Sequence, residues 1–169
     1  ENDSLTVFEE LSSRLHTEYH KADHKPTAEI YDSAESVTNL ICKLLENAKK
    51  GDEFLTWESP AGQHYQAIMP DELFHTLSKQ KTKKGVQTRS LISVGQETHI
   101  RPEALAHGVD VRVLPAALQL DISLWVIDEG IVLFSGTHLF AVRISHRYTA
   151  ESFRQLFEFL WSVSSPLKK

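Results

Sequence analysis

The sequence predicts an α/β domain built on a mixed β-sheet with helices on both faces. Two observations predict it. Between residues 27 and 113, short apolar runs alternate with helical periodicities, the pattern of βα units and parallel pairing. After residue 117, "LQLDISLWVIDEGIVLFSGTHLFAVRIS" sets three strand-like runs around the turns "DEG" and "SGTH", which implies antiparallel hairpins. One sheet satisfies both patterns if its two halves differ in strand direction and helices cover both faces.

The elements follow in order. Leu5, Phe8, Leu11, Leu15 and Tyr19 recur at helical spacing through "LTVFEELSSRLHTEYHKA", and Lys25-Pro26 closes the helix. Its apolar stripe is narrow, close to a coiled-coil seam, so it suits a partner helix as well as a core. "TAEIY" is a strand. In "SAESVTNLICKLLENAKKG", Val37, Leu40, Ile41, Leu44, Leu45 and Ala48 share one helix face, and Gly51 stops it. "EFLTW" is a strand, Pro70-Asp71 open a helix that ends at Gly85, and "VQTRSLIS" is the next strand. "RPEALAHG" is a short helix and "VDVRVLP" a strand. After the meander, Thr149 caps a closing helix with Phe153, Leu156, Phe157, Leu160 and Trp161 on one face. The expected organisation is an N-terminal linker or dimerisation helix over 1–24, a domain over 25–165, and a tail over 166–169.

Composition excludes several function classes. With 169 residues, 41% hydrophobic and 24% charged, the chain can bury a core without cross-links. A net charge of −5 argues against the domain itself gripping nucleic-acid phosphates. "KQKTKK", residues 79–84, reads as the solvated end of a helix. The single cysteine, Cys42, excludes a disulfide framework and favours a reducing, cytoplasmic setting. It has apolar neighbours and no nearby base, so it reads as a packed thiol rather than a nucleophile. No run is apolar enough for a membrane span.

Catalytic and metal motifs are absent. His16, His20 and His24 stand four apart, but Thr17 occupies the place where a zincin helix needs Glu. No G-x-S-x-G and no glycine-rich phosphate loop occurs. No cofactor is expected.

"KPTAEIYDSAESVTNLICKLLENAKKGDEFLTW", "KKGVQTRSLIS", "HGVDVRVLP" and "AESFRQLFEFLW", in this order and spacing, resemble the effector region of TrmB-type transcriptional regulators. That resemblance implies half of a phospholipase D-like fold that senses a ligand and dimerises, behind a winged helix that binds DNA. The winged helix is expected outside this chain, and the first helix would be the linker from it. Phospholipase D chemistry needs H-x-K-x-x-x-x-D, in which histidine attacks phosphorus and lysine holds its oxygens. None of the nine histidines has lysine two places on; the nearest pattern, His99-Ile100-Arg101, meets Ala106 where the acid belongs. No catalytic residue is therefore expected.

Ligands of open α/β sheets bind past the carboxyl ends of the strands. There the sequence offers Trp57, Glu58, Ser59, Arg89, Ser93 and Arg112, a set suited to a small polar or anionic effector, against an ordinary reading as core and solvated loops. Asp121 is either a ligand contact at the sheet edge or the partner of Arg112 in a salt bridge, and Asp128 is a turn residue. The expected function is a ligand-sensing, homodimeric effector domain of a TrmB-like regulator, with Leu5, Phe8, Leu15 and Tyr19 in the dimer seam, no enzyme activity, and DNA reached only through another domain. The alternatives are a phospholipase D-like phosphodiesterase with a degenerate motif, or a dimerisation module without a ligand.

Overall fold

The computed structural model describes residues 25–59, 65–119 and 121–167. The first helix, with Leu5, Phe8, Leu15, Tyr19 and the three histidines His16, His20 and His24, lies outside the described residues. The strands are β1 (Thr27–Tyr31), β2 (Glu53–Glu58), β3 (Gln87–Ile92), β4 (Val109–Val113), β5 (Ser123–Ile127), β6 (Gly130–Ser135), β7 (Phe140–Ser145) and β8 (Ser165–Pro166). The helices are α1 (Ala34–Asn47), α2 (Tyr65–Ile68), α3 (Asp71–Lys84), α4 (Pro102–Ala106) and α5 (Arg147–Val163), with a 3₁₀ turn at Glu97–His99.

All eight strands join one sheet in the order β1-β7-β6-β5-β2-β3-β4-β8. β2, β3 and β4 run parallel, whereas β5, β6 and β7 form the antiparallel meander, and β5 lies antiparallel against β2. The mixed sheet is thus as the sequence reads. One strand goes elsewhere. The βα pattern suggests that β1 neighbours β2, yet β1 pairs antiparallel with β7 at the far edge. Nothing local to β1 encodes this, because α1 is long enough to carry the chain across the meander. At the other edge Pro166, in the expected tail, pairs with Arg112. Proline tolerates such an edge position because it has no N–H to offer the ladder.

Two apolar layers sandwich the sheet. α1 and α3 cover one face, where Val37, Leu40 and Leu44 meet Ile127, Val132 and Phe134. α5 covers the other, packing Phe157 and Trp161 on Leu55, Trp57, Leu91 and Val126. Local signals set these helices. Ser33 and Ser36 form a reciprocal capping box at the start of α1. Gly85 ends α3 at φ 70°, a left-handed conformation that glycine adopts without cost. α5 starts earlier than the sequence suggests: His146 is the N-cap, and Thr149 Oγ1 lies 2.8 Å from His146 Nδ1 instead of capping the helix itself. Cys42 is half-buried on α1, and burial raises its thiol pKa.

Candidate ligand-binding cavity

A cavity of about 160 Å³ lies between the sheet and the α1–α3 layer, and α4 and the 3₁₀ turn help to wall it. The two-residue alternation of strands decides which side chains reach it. Along β2, Phe54, Thr56 and Glu58 face the cavity, while Leu55 and Trp57 face α5. Along β3, Thr88 and Ser90 face it and Leu91 faces α5. From above, α3 presents Phe74, Leu77, Ser78 and Lys81, a helical i, i+3, i+4, i+7 stripe whose last place is a lysine. Arg101 closes one side. Its guanidinium donates to Gln66 Oε1 (3.0 Å) and Met69 O (2.7 Å), and stacks over Phe74 with 4.6 Å to the ring centroid.

The polar floor holds two hydrogen-bonded groups. Trp125 Nε1 donates to Glu58 Oε1 over 2.7 Å, and Ser123 Oγ donates to Glu58 Oε2 over 3.1 Å. Ser123 Oγ accepts in turn from Ser59 N at 2.9 Å. Next along the floor, Thr56 Oγ1 donates to Ser90 Oγ at 3.0 Å. Burial pushes the Glu58 carboxyl up to about 7, against the hydrogen bonds from Trp125 and Ser123 and the charge of Lys81. Lys81 shows the converse: burial brings its ammonium down to about 8, opposed by Glu58. Its Nζ donates to Thr88 Oγ1 at 2.8 Å. The cavity, open to one side and largely apolar, therefore holds an acid and a base whose pKa values both lie near neutral.

The residues expected at the site divide between the two faces. Trp57 is core, packed edge-on against Phe157 with centroids 5.1 Å apart. Arg89 also faces α5. It donates through Nε and Nη2 to the two oxygens of Glu53 (2.6 and 2.9 Å), reaches Glu158 through Nη1 (2.9 Å), and lies over the rings of Phe157 and Trp161. These carboxylates raise its pKa further, and Arg89 lowers that of Glu158. Arg112 donates to Trp161 O at 2.9 Å and stacks on the Trp161 ring. Ser93 is buried just past β3, where its carbonyl accepts from Gln96 N, and Asp121 is exposed and forms no salt bridge with Arg112. Of the seven, Glu58 lines the cavity and Ser59 touches its floor through Ser123.

The sequence reading missed Lys81, Thr56, Ser90, Trp125 and Arg101. Lys81 had a signal: it continues the Phe74–Leu77–Ser78 stripe, whereas the basic run around it reads as solvent-facing. Lys84 from the same run is also engaged, donating to the carbonyls of Leu45, Glu46 and Ala48 at the end of α1.

No known family model and no curated protein matches the chain at the level of sequence. Solved structures do match in fold. TrmBL2, an archaeal chromatin protein described as showing a novel mode of DNA binding, aligns with a TM-score of 0.59 at 13% identity over 98% of this chain and 64% of its own. Nuc from Salmonella typhimurium, a phospholipase D family member, aligns with a TM-score of 0.60 at 17% identity over 86% of this chain and all (100%) of its own. NucT from Helicobacter pylori aligns with a TM-score of 0.57 at 9% identity, over 85% and 100% of the two chains. The chain thus has a phospholipase D-like fold, shared with TrmBL2, and spans less than two thirds (64%) of the length of TrmBL2. Among the described residues no helix is long and apolar enough to cross a membrane.

Proposed function

We propose that this chain is the effector-type domain of a TrmB-like transcriptional regulator, that it binds a small molecule in the cavity above β2 and β3, and that it is not an enzyme. One observation carries the reading. The cavity joins an apolar enclosure of about 160 Å³ to a few convergent polar groups, Glu58, Lys81, Thr88 and Ser90, which is the make-up of a small-molecule site. A purely structural layer would gain from apolar residues at these places, since burying a charge in a dry interior costs stability. Likeness of fold to TrmBL2 supports the regulator context. Homodimerisation through the apolar stripe of residues 5–19 and DNA contact by another part of the regulator belong to the same reading.

The non-enzymatic reading rests on side chains. The H-x-K-x-x-x-x-D spacing can be laid on residues 121–128, where Asp121, Ser123 and Asp128 take the places of histidine, lysine and acid. An aspartate is a poor substitute for the phosphorus-attacking imidazole, and Ser123 is buried and bonded to Glu58.

Thermal melting of the chain against a panel of small metabolites tests the binding claim, because only a compound that prefers the folded state raises the melting temperature. A saturable rise that disappears in Ser78→Leu, which fills the cavity, supports it; a rise unaffected by that change places the ligand elsewhere. Hydrolysis of a chromogenic phosphodiester that an Asp121→Ala change abolishes would overturn the non-enzymatic part. For the dimer, Leu5→Glu with Leu15→Glu yields a folded monomer if the first helix is the seam.

A further inference from the structure

We propose that the cavity ligand is a small apolar monocarboxylate whose anionic end binds Lys81 Nζ and whose hydrocarbon body fills the space between α1, α3 and the sheet. This rests on the reading of the cavity as a ligand site and names what that site selects.

Three features of the lining point to this class. The first is size. About 160 Å³ is close to the roughly 150 Å³ that accommodates benzene inside a protein, so the body is one ring or a short branched chain. The second is apolarity: Ile41, Leu44, Phe54, Leu77, Val111 and Trp125 form the bulk of the wall. A sugar or a nucleotide would leave most of its hydroxyls unpaired against such a surface.

The third feature is the unequal state of the two half-buried ionisable groups. Both carboxylate oxygens of Glu58 already accept hydrogen bonds, from Trp125 Nε1 and Ser123 Oγ. Lys81 has three donors, and Thr88 Oγ1 is the acceptor it has among the described residues. Its other two N–H groups have no acceptor among the described residues, so the site has room for an acceptor rather than a donor. Charge agrees. Arg101 in the lining is paired with Asp71 (3.4 Å), so Lys81, beside the single lining carboxylate Glu58, is the cation placed to meet an anion among the described residues. A pKa near 7 leaves Glu58 protonated in part at neutral pH, which weakens its repulsion of a carboxylate beside Lys81.

Calorimetric titration at pH 7 with three probes of one shape, benzoate, benzyl alcohol and benzylammonium, tests the proposal on the wild-type chain and on Lys81→Met and Lys81→Arg. Benzoate is expected to bind tightest, to weaken at least tenfold in Lys81→Met, and to stay within a few-fold in Lys81→Arg. Benzyl alcohol is expected to bind wild type and Lys81→Met alike. Tighter binding of benzylammonium than of benzoate overturns the proposal, as does benzoate binding that ignores Lys81→Met. Benzyl alcohol bound without benzoate overturns the carboxylate while the cavity reading stands. Failure of all three probes removes both. If Lys81→Met does not fold, the ranking of the probes on the wild-type chain still decides.

Discussion

Trp125 Nε1 and Glu58 Oε1 lie 2.7 Å apart, on strands that run antiparallel in the middle of the sheet. This bond fixes the carboxyl of Glu58 toward the cavity and gives the buried indole N–H its partner. It also ties the parallel half of the sheet to the meander at the cavity floor.

Stability should fall as pH rises through this group. The Glu58 pKa is about 7 in the folded chain against 4.5 for the free side chain. Between these values the native state holds a proton that the unfolded state has lost, so the stability fully present below pH 4.5 is lost as pH rises to about 7. At most this amounts to about 3 kcal/mol, at 1.36 kcal/mol per unit of pKa. Glu58→Gln should raise stability at pH 7.5 by about 1–3 kcal/mol and flatten the slope between pH 4.5 and 7, measured by urea denaturation across that range. An unchanged slope would show that Glu58 does not titrate this way.

Two lysines three residues apart should respond in opposite senses. Lys81 is desolvated in an apolar stripe, and its pKa is lowered to about 8. Its folded-state pKa is depressed, so the stability present above about pH 10.5 is lost as pH falls through 8. Lys81→Met should therefore stabilise the chain at pH 7. Lys84 donates to three carbonyls at the C-terminal end of α1, and Lys84→Met should cost about 1–2 kcal/mol. Denaturation midpoints of the two variants, measured together, check the sign of each.

Arg89 is predicted to be structural. Arg89→Lys loses the forked contact with Glu53, the reach to Glu158 and the planar stack on Phe157 and Trp161. It should lower stability by about 1–2 kcal/mol and leave cavity binding of any probe unchanged. A loss of binding with stability intact would place the ligand on the α5 face.

Gly130 pairs with Ser145 where β6 meets β7, and a Cβ there would stand 2.8 Å from the carbonyl oxygen of Ile144. Backbone has no room to yield within a ladder. Gly130→Ala should cost about 1–3 kcal/mol and lower the melting temperature.

The residues explain how far the sequence could be read. Every main strand carries its own period-two or apolar signature, so the elements and the mixed pairing were legible from "EFLTW" through "FAVRIS". The position of β1 was not, because pairing with β7 joins residues more than a hundred apart and no local signal spans that distance. The site was legible only in Glu58. Trp57 and Arg112 share the carboxyl-terminal half of the strands with it, whereas Arg89 stands in the first half of β3 beside Glu53; strand alternation turns all three to the α5 face, where aromatic rings and Glu53 or Glu158 occupy them. Grouping residues by face would have separated them and brought Thr56, Thr88 and Ser90 together. Lys81 was hidden by its charged neighbours, and Trp125 by the sequence distance to Glu58.

Binding of a small molecule on the α1–α3 side of the sheet underlies the proposed function. It is tested most directly by the indole N–H resonances of the ¹⁵N-labelled chain during titration with benzoate and, separately, with benzyl alcohol. Trp125 lines the cavity, whereas Trp57 and Trp161 lie in the layer under α5. The Trp125 signal is expected to shift saturably with at least one probe while the other two stay in place. Saturable shifts confined to Trp57 or Trp161, or no shift of any indole with either probe, would contradict it.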